Sequence, residues 1–241
     1  MIFQNMGKLY EELIKDVHLQ EGLKACINCG TCTAICPAAE FYNYDPREIT
    51  DIVQEQDDKK IEELLKSDTI WYCSECMSCK TRCPRGNTPG QIIIALRALS
   101  QEMGYFTESE KGRQQLYIKR TIGGWILNRG YCLYLEGVGT NGHPEQGPVW
   151  DWRQQNWAEV MKRLGANYEG KGPGILRKIP DEALEEIRQI FEVTGGNKRF
   201  DKIEKFSADK AKEMEMKLDD GTDNEYIKFI YSINNNNHNS K

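Results

Sequence analysis

Apolar residues along this chain recur three and four positions apart more than they alternate, the signature of helices packed on a core rather than of strands. Leu9, Tyr10, Leu13, Ile14 and Val17 predict one amphipathic helix. Asp45-Pro46-Arg47-Glu48 has the form of a capping box with proline at the first helical position, and Ile49, Ile52 and Val53 continue it as an apolar face. Residues 58–67 repeat the pattern with Ile61, Leu64 and Leu65. Thr88-Pro89-Gly90-Gln91 is a second box. The helix it opens carries Ile92, Ile93, Ile94, Leu96 and Leu99, and Gly104 closes it. Strand signals are scarce, so the expected fold class is all-α, with a small helical domain over residues 1–104.

Residues 105–200 read as a mainly helical extension. Thr107-x-x-Glu110 is predicted to cap a helix running toward Trp125, and the Gly- and Pro-rich stretch 136–150 is predicted loop. Trp150, Trp152, Trp157, Val160, Met161 and Leu164 predict a helix stopped by Gly165. Those tryptophans either build a second helical layer or anchor a partner interface. Leu184, Ile187, Ile190 and Phe191 predict another helix, stopped by Gly195-Gly196. Residues 201–226 hold nine acids and five bases, and are expected as a charged helix that runs into a polar, disordered tail from Asn234. Gly137-x-Gly139-x-x-Gly142 matches a dinucleotide-binding fingerprint, but His143-Pro144 follows where a helix should open, so a flexible loop is expected, with partner binding as a second use.

Charge and composition narrow the function. Lys plus Arg total 32 against 37 Asp plus Glu, a net charge of −5, which disfavours nucleic acid. The longest apolar runs, such as residues 92–96, are five residues and too short to cross a membrane. Residues 1–8 lack a basic region followed by an apolar stretch, so no secretion signal is expected and the compartment is expected to be the reducing cytoplasm. Three His leave little room for His-based catalysis.

Nine Cys change the picture. Eight form two copies of one run, Cys26-x2-Cys29-x2-Cys32-x3-Cys36-Pro37 and Cys73-x2-Cys76-x2-Cys79-x3-Cys83-Pro84. This is the spacing of two-cluster ferredoxins: three thiolates on a tight loop hold three corners of one 4Fe–4S cube, and the fourth ligates the other cube. The expected ligands are Cys26, Cys29, Cys32 and Cys83 for the first cluster, and Cys73, Cys76, Cys79 and Cys36 for the second. Zinc knuckles need only paired Cys-x2-Cys, so four-Cys runs followed by proline favour iron–sulfur over zinc. Gly30, Thr31, Ser74 and Ser78 are small enough to let amides approach the sulfurs. Cys132, in an apolar stretch, is expected as a small buried hydrophobe. Residues 77–100 contain no acid, and Lys80, Arg82, Arg85 and Arg97 there are either a solvated face, cations favouring reduction, or a surface that steers an acidic partner.

The two runs, with Cys83-Pro84-Arg85-Gly86 and the Ile-rich helix after them, resemble the C subunit of heterodisulfide reductase over roughly residues 5–104. The resemblance implies an alpha-helical ferredoxin core whose two 4Fe–4S clusters pass electrons between the flavin-bearing A subunit and the B subunit, which is iron–sulfur and catalytic. Residues 143–150 and 172–177 look more like the longer C subunit from the heterodisulfide-reductase-like complex of sulfur oxidisers, which implies a lipoate-carrying protein as the complex's indirect substrate. The chain has neither a Cys-Cys-Gly motif nor a flavin fingerprint, and every cube corner is taken by Cys. It therefore reads as a relay with no catalytic residues of its own. An iron–sulfur protein of another dehydrogenase complex, acting on a 2-hydroxy acid or a quinone, and a zinc-stabilised scaffold are the alternatives.

Overall fold

The computed structural model describes residues 8–134, 137–142 and 147–232. It is helical, with no strand among the described residues, and its contacts divide it into two units, Met1–Arg113 and Gln114–Lys241.

The first unit is a helical cage around an aliphatic core. Its helices are α1 (Lys8–Leu13), α2 (Val17–Gly22), α3 (Thr31–Ala34), α4 (Pro37–Phe41), α5 (Pro46–Glu55), α6 (Asp58–Lys66), α7 (Pro89–Met103) and α8 (Glu110–Arg113). Ile49, Val53, Ile61, Leu65, Ile92 and Leu96 are fully buried at its centre. The capping expected of Asp45 is present: its carboxylate accepts from the amides of Arg47 and Glu48 ahead of Pro46. Asp58 reaches across to cap α1, accepting from Leu9 N and Tyr10 N at 3.0 Å each.

In this unit three sequence expectations need correction. The helix predicted over residues 9–17 is two helices, because Asp16 accepts from His18 N at 2.8 Å and caps a new start, leaving Ile14 and Val17 exposed. The Thr88 side chain makes no cap bond. Its amide instead donates to Gly22 O at 2.7 Å, and this seats α2 on α7. Thr107 does not cap: its hydroxyl donates to Gly104 O within a 3-10 turn, and Ser109 takes over by accepting from Gly112 N at 2.9 Å.

The α2–α7 contact is close enough to test. A Cβ on Gly22 would lie 2.9 Å from Gln91 Cβ and 3.1 Å from Thr88 O, part of it rigid backbone. Gly22→Ala should cost about 1–3 kcal/mol in urea unfolding, the usual range for overpacking. No loss of stability would mean that α2 is not held there.

The second unit contains α9 (Gln115–Ile118), a π-helical turn at Lys119–Gly123, α10 (Gly124–Arg129), α11 (Pro148–Gln155), α12 (Trp157–Arg163), α13 (Asp181–Val193), α14 (Gly196–Glu213) and α15 (Glu225–Ser232). The tryptophan helix is broken at Asn156, whose side-chain amide donates to Trp152 O at 2.8 Å. Trp150 and Trp157 pack on a core of Tyr134, Met161 and Leu176, while Trp152 stays 53% exposed. The expected loop ends at Gly147, since Pro148 opens α11. The glycine motif is no nucleotide loop. Added Cβ atoms at Gly137, Gly139 and Gly142 would strike Trp125, Gln154 and Tyr117, and Thr140 N donates to Asp151 Oδ1 at 2.7 Å, so the segment packs closely on its neighbours. His143 and Pro144 lie outside the described residues, as does the polar tail from Asn234. The charged stretch is not one helix: α14 ends at Glu213, and α15 buries Tyr226 and Ile230. Cys132 is exposed, not buried.

Candidate metal centre

The two cysteine runs fold to nearly the same backbone. Asn28 and Glu75, at the same position of their runs, take left-handed φ of 57° and 56°. The amide of each donates to the sulfur two residues back, Cys26 or Cys73, at 3.4 Å. Gly30 and Met77 repeat the left-handed turn two residues on, at φ 77° and 58°. That conformation is free for Gly30 but costs about 1 kcal/mol for a residue with a Cβ, so Asn28, Glu75 and Met77 are held there by their surroundings.

Hydroxyls complete each loop. Thr31 Oγ1 lies 3.4 Å from Cys29 Sγ, and Ser78 Oγ lies 3.4 Å from Cys76 Sγ. These hydroxyls, with the amides of the same residues, hold the pKa of both exposed thiols below its ordinary value. Burial does the opposite deeper in the loops. It raises Cys26 and Cys79 and pushes Cys32 up to about 11. A buried sulfur that resists ionising alone is suited to a metal, which supplies the missing positive charge.

The fourth cysteine of each run leaves its own loop. Cys36 and Cys83 are both extended, at φ −78° and −76° with ψ 118°, as the following prolines require. Cys83 then shares a cavity with Cys26, Cys29 and Cys32, walled by Arg47, Thr50, Arg85 and Asn87. Cys36 and Cys73 pack on the same core beside Tyr44, whose pKa is driven far up by burial and by these two sulfurs. Tyr42 stacks on Tyr72 at 4.4 Å, and α3 packs on the 3-10 turn Lys80–Arg82, so the two runs are also tied outside the sulfurs. Cys26 is placed by its amide, which donates to Gln54 Oε1 on α5 at 2.6 Å. Among the described residues no three Cys, His, Asp or Glu stand close enough to hold a single metal ion, whereas a cube spreads its ligands over a wider cage. The chemistry of the donors fits such a group at the first run, where four cysteines line one cavity.

An arginine braces each loop. Arg47 Nη1 donates to Asn28 Oδ1 at 2.5 Å and Nη2 to Asp45 Oδ2 at 2.7 Å. Burial opposes the Asp45 charge, but the bonds from Thr33 and Arg47 outweigh it and hold Asp45 below the usual carboxylate range. Arg97 bonds Ile70 O, Cys73 O and Glu75. The basic group read from the sequence therefore splits: Lys80, Arg82 and Arg85 are exposed, and Arg97 is built into the second loop. Sequence reasoning missed Asn28, Tyr44, Arg47, Glu75, Met77 and Asn87. The matching positions of Asn28 and Glu75 in the two runs were the one available signal.

Residues 22–87 match the family described as a 4Fe-4S dicluster domain. The chain is 33% identical over 195 residues to the iron–sulfur C subunit of the CoB–CoM heterodisulfide reductase of Methanopyrus kandleri, covering 80% of this chain and 82% of that one. The chain belongs to the family of heterodisulfide reductase C subunits. It is also 44% identical over 94 residues to the C subunit of the ferredoxin:CoB-CoM heterodisulfide reductase of Methanosarcina acetivorans, a match spanning 36% of the length of each chain. With a protein of Archaeoglobus profundus described as like the heterodisulfide reductase C subunit, it shares 30% identity over 149 residues, 71% of that protein. As a member of this family it is an iron–sulfur electron-transfer protein of heterodisulfide reductase type, with two 4Fe–4S clusters. A match covering 80% of the chain runs past residue 104, so the extension does not by itself separate the sulfur-oxidiser form from the methanogen one. Among the described residues no helix is long and apolar enough to cross a membrane.

Proposed function

We propose that the chain relays single electrons between the flavin-bearing A subunit and the catalytic, iron–sulfur B subunit of a heterodisulfide-reductase-like complex. One cluster is held by Cys26, Cys29, Cys32 and Cys83, the other by Cys73, Cys76, Cys79 and Cys36. The observation that carries this reading is the cavity that Cys83 shares with the first three cysteines of the opposite run. When bound, the clusters supply one-electron carriers with no open position for a substrate.

The chain's own residues do the rest. Asn28, Thr31, Glu75 and Ser78 surround the sulfurs with donors and steady their negative charge. Cys29 and Cys76 stand exposed, so each loop presents one sulfur at the surface where a partner can come close. Ile27, Ile35 and Phe41, exposed beside the first run, offer apolar surface for docking. No side chain is assigned a catalytic role.

We further propose sulfur-compound oxidation in the cytoplasm, with a lipoate-carrying protein as the complex's indirect substrate; this rests on the sequence resemblance of residues 143–150 and 172–177 to the longer form in sulfur oxidisers and not on the extension as such, which the methanogen relative shares. Anaerobic co-expression with the A and B subunits tests the reading. The chain should co-purify with both, carry about eight irons, and show two reduced-cluster signals by electron paramagnetic resonance. A colourless chain holding zinc, or one that leaves both partners unbound, would sink it.

A further inference from the structure

We propose that Asn87 donates a hydrogen bond from Nδ2 into the sulfur cage held by Cys26, Cys29, Cys32 and Cys83, and thereby raises the reduction potential of that cluster alone. The inference rests on the ligation proposed above.

Asn87 is 2% exposed and lines the cavity those cysteines share. Its backbone amide donates to Cys83 Sγ at 3.3 Å. Its Oδ1 accepts from Lys24 N at 2.6 Å. That second bond decides which way the amide faces, because a flipped side chain would set NH2 against N–H. Nδ2 is then left buried with no partner in the protein. Leaving a buried donor unsatisfied is costly, so Nδ2 calls for an acceptor, and the cavity that Asn87 lines is where one can sit. Four cysteines line that cavity, and a cluster bound there would present thiolate and sulfide lone pairs.

Reduction adds one electron and one negative charge to the cage, with no bond broken and no proton taken up. A donor aimed at the cage therefore favours the reduced form. The matching position of the other run differs. Four residues after Cys83 stands Asn87, but four residues after Cys36 stands Glu40, which is exposed. Asn87 should set the two clusters apart.

The test uses the full chain, loaded anaerobically and titrated with dithionite as electron donor. Asn87→Asp keeps an oxygen for Lys24 N and replaces the donor with an acceptor. The reduction equilibrium constant of one cluster should fall about tenfold, equivalent to 59 mV for one electron, while the other stays put. Asn87→Leu removes the donor without adding charge, and should move the same cluster in the same direction by less. In heavy water, electron–nuclear double resonance of the reduced wild type should show one exchangeable deuteron that both variants lack. If the Asn87→Asp shift came from charge alone, the wild type and both variants would show the same exchangeable deuterons. If the wild type carries about eight irons, yet the deuteron persists in the variants and Asn87→Leu shifts nothing, the Asn87 assignment is wrong. If the wild type carries fewer than about eight irons, the ligation itself is wrong.

Discussion

Serine at both Cys26 and Cys83 should cost no more iron than serine at either one alone, leaving about four irons per chain, whereas serine at Cys26 and Cys36 should remove nearly all of it. If ligation is crossed, as proposed, Cys26 and Cys83 are partners on one cube and the second substitution finds nothing left to break. If each run held its own cube, the outcomes would swap: the 26/36 pair would leave about four irons and the 26/83 pair almost none. Iron and sulfide assay of the two double variants against the singles therefore separates the topologies without any assay of turnover. The structure supports the crossed result because both fourth cysteines are turned out of their loops by a following proline, and Cys83 lies in the opposite run's cavity. The loops themselves are largely exposed and built from turns, so metal binding carries much of their folding free energy. Loss of one cube should leave the aliphatic core around α5, α6 and α7 folded, with its amides still protected from exchange, because that core is built from buried aliphatic side chains and only Cys36 and Cys73 of the eight cysteines pack against it.

How much of this was legible in the sequence depends on whether the determinant is local. The α5 start was readable because Asp45 acts on amides two and three residues away and Pro46 fixes its own φ for the first turn. The Cys spacing was readable because a cube fixes the distances between neighbouring ligands. The break between α1 and α2 was hidden by unbroken apolar periodicity, and only Asp16 reveals it. The α15 helix was hidden by its setting, an acidic stretch in which Tyr226, Ile227, Ile230 and Tyr231 nonetheless keep helical spacing. Arg97 was read among solvated alternatives because its sequence neighbours are apolar and its acceptors lie more than twenty positions away. Asn87 left no mark, since a buried amide with one free donor looks in sequence like any loop asparagine.

Arg97 carries the second large prediction. Its Nε donates to Ile70 O at 2.7 Å, Nη2 to Cys73 O at 2.6 Å and Nη1 to Glu75 Oε1 at 2.5 Å, with the guanidinium over the Trp71 ring. These acceptors flank the first cysteine of the second run, so one side chain from α7 positions the loop on the core. The Glu75 ion pair contributes little, because Glu75 is 44% exposed and water screens it. The weight lies in the two carbonyls, which lose their charged donor when the 18%-exposed Arg97 is cut back. Arg97→Ala should cost about 3 kcal/mol in urea unfolding and release the second cluster first, taking iron from about eight toward four while the first cluster's signal persists. Arg97→Lys keeps the charge but offers one point donor in place of a fork, so it should hold iron at neutral pH yet bleach faster under oxygen than the wild type. Arg47→Ala is the contrast. It touches Asn28 and Asp45 near the surface, and should leave the unfolding midpoint nearly unchanged with both clusters kept. Equal loss of both signals in Arg97→Ala, or an unchanged unfolding midpoint, would show that the second loop is seated by something other than this arginine.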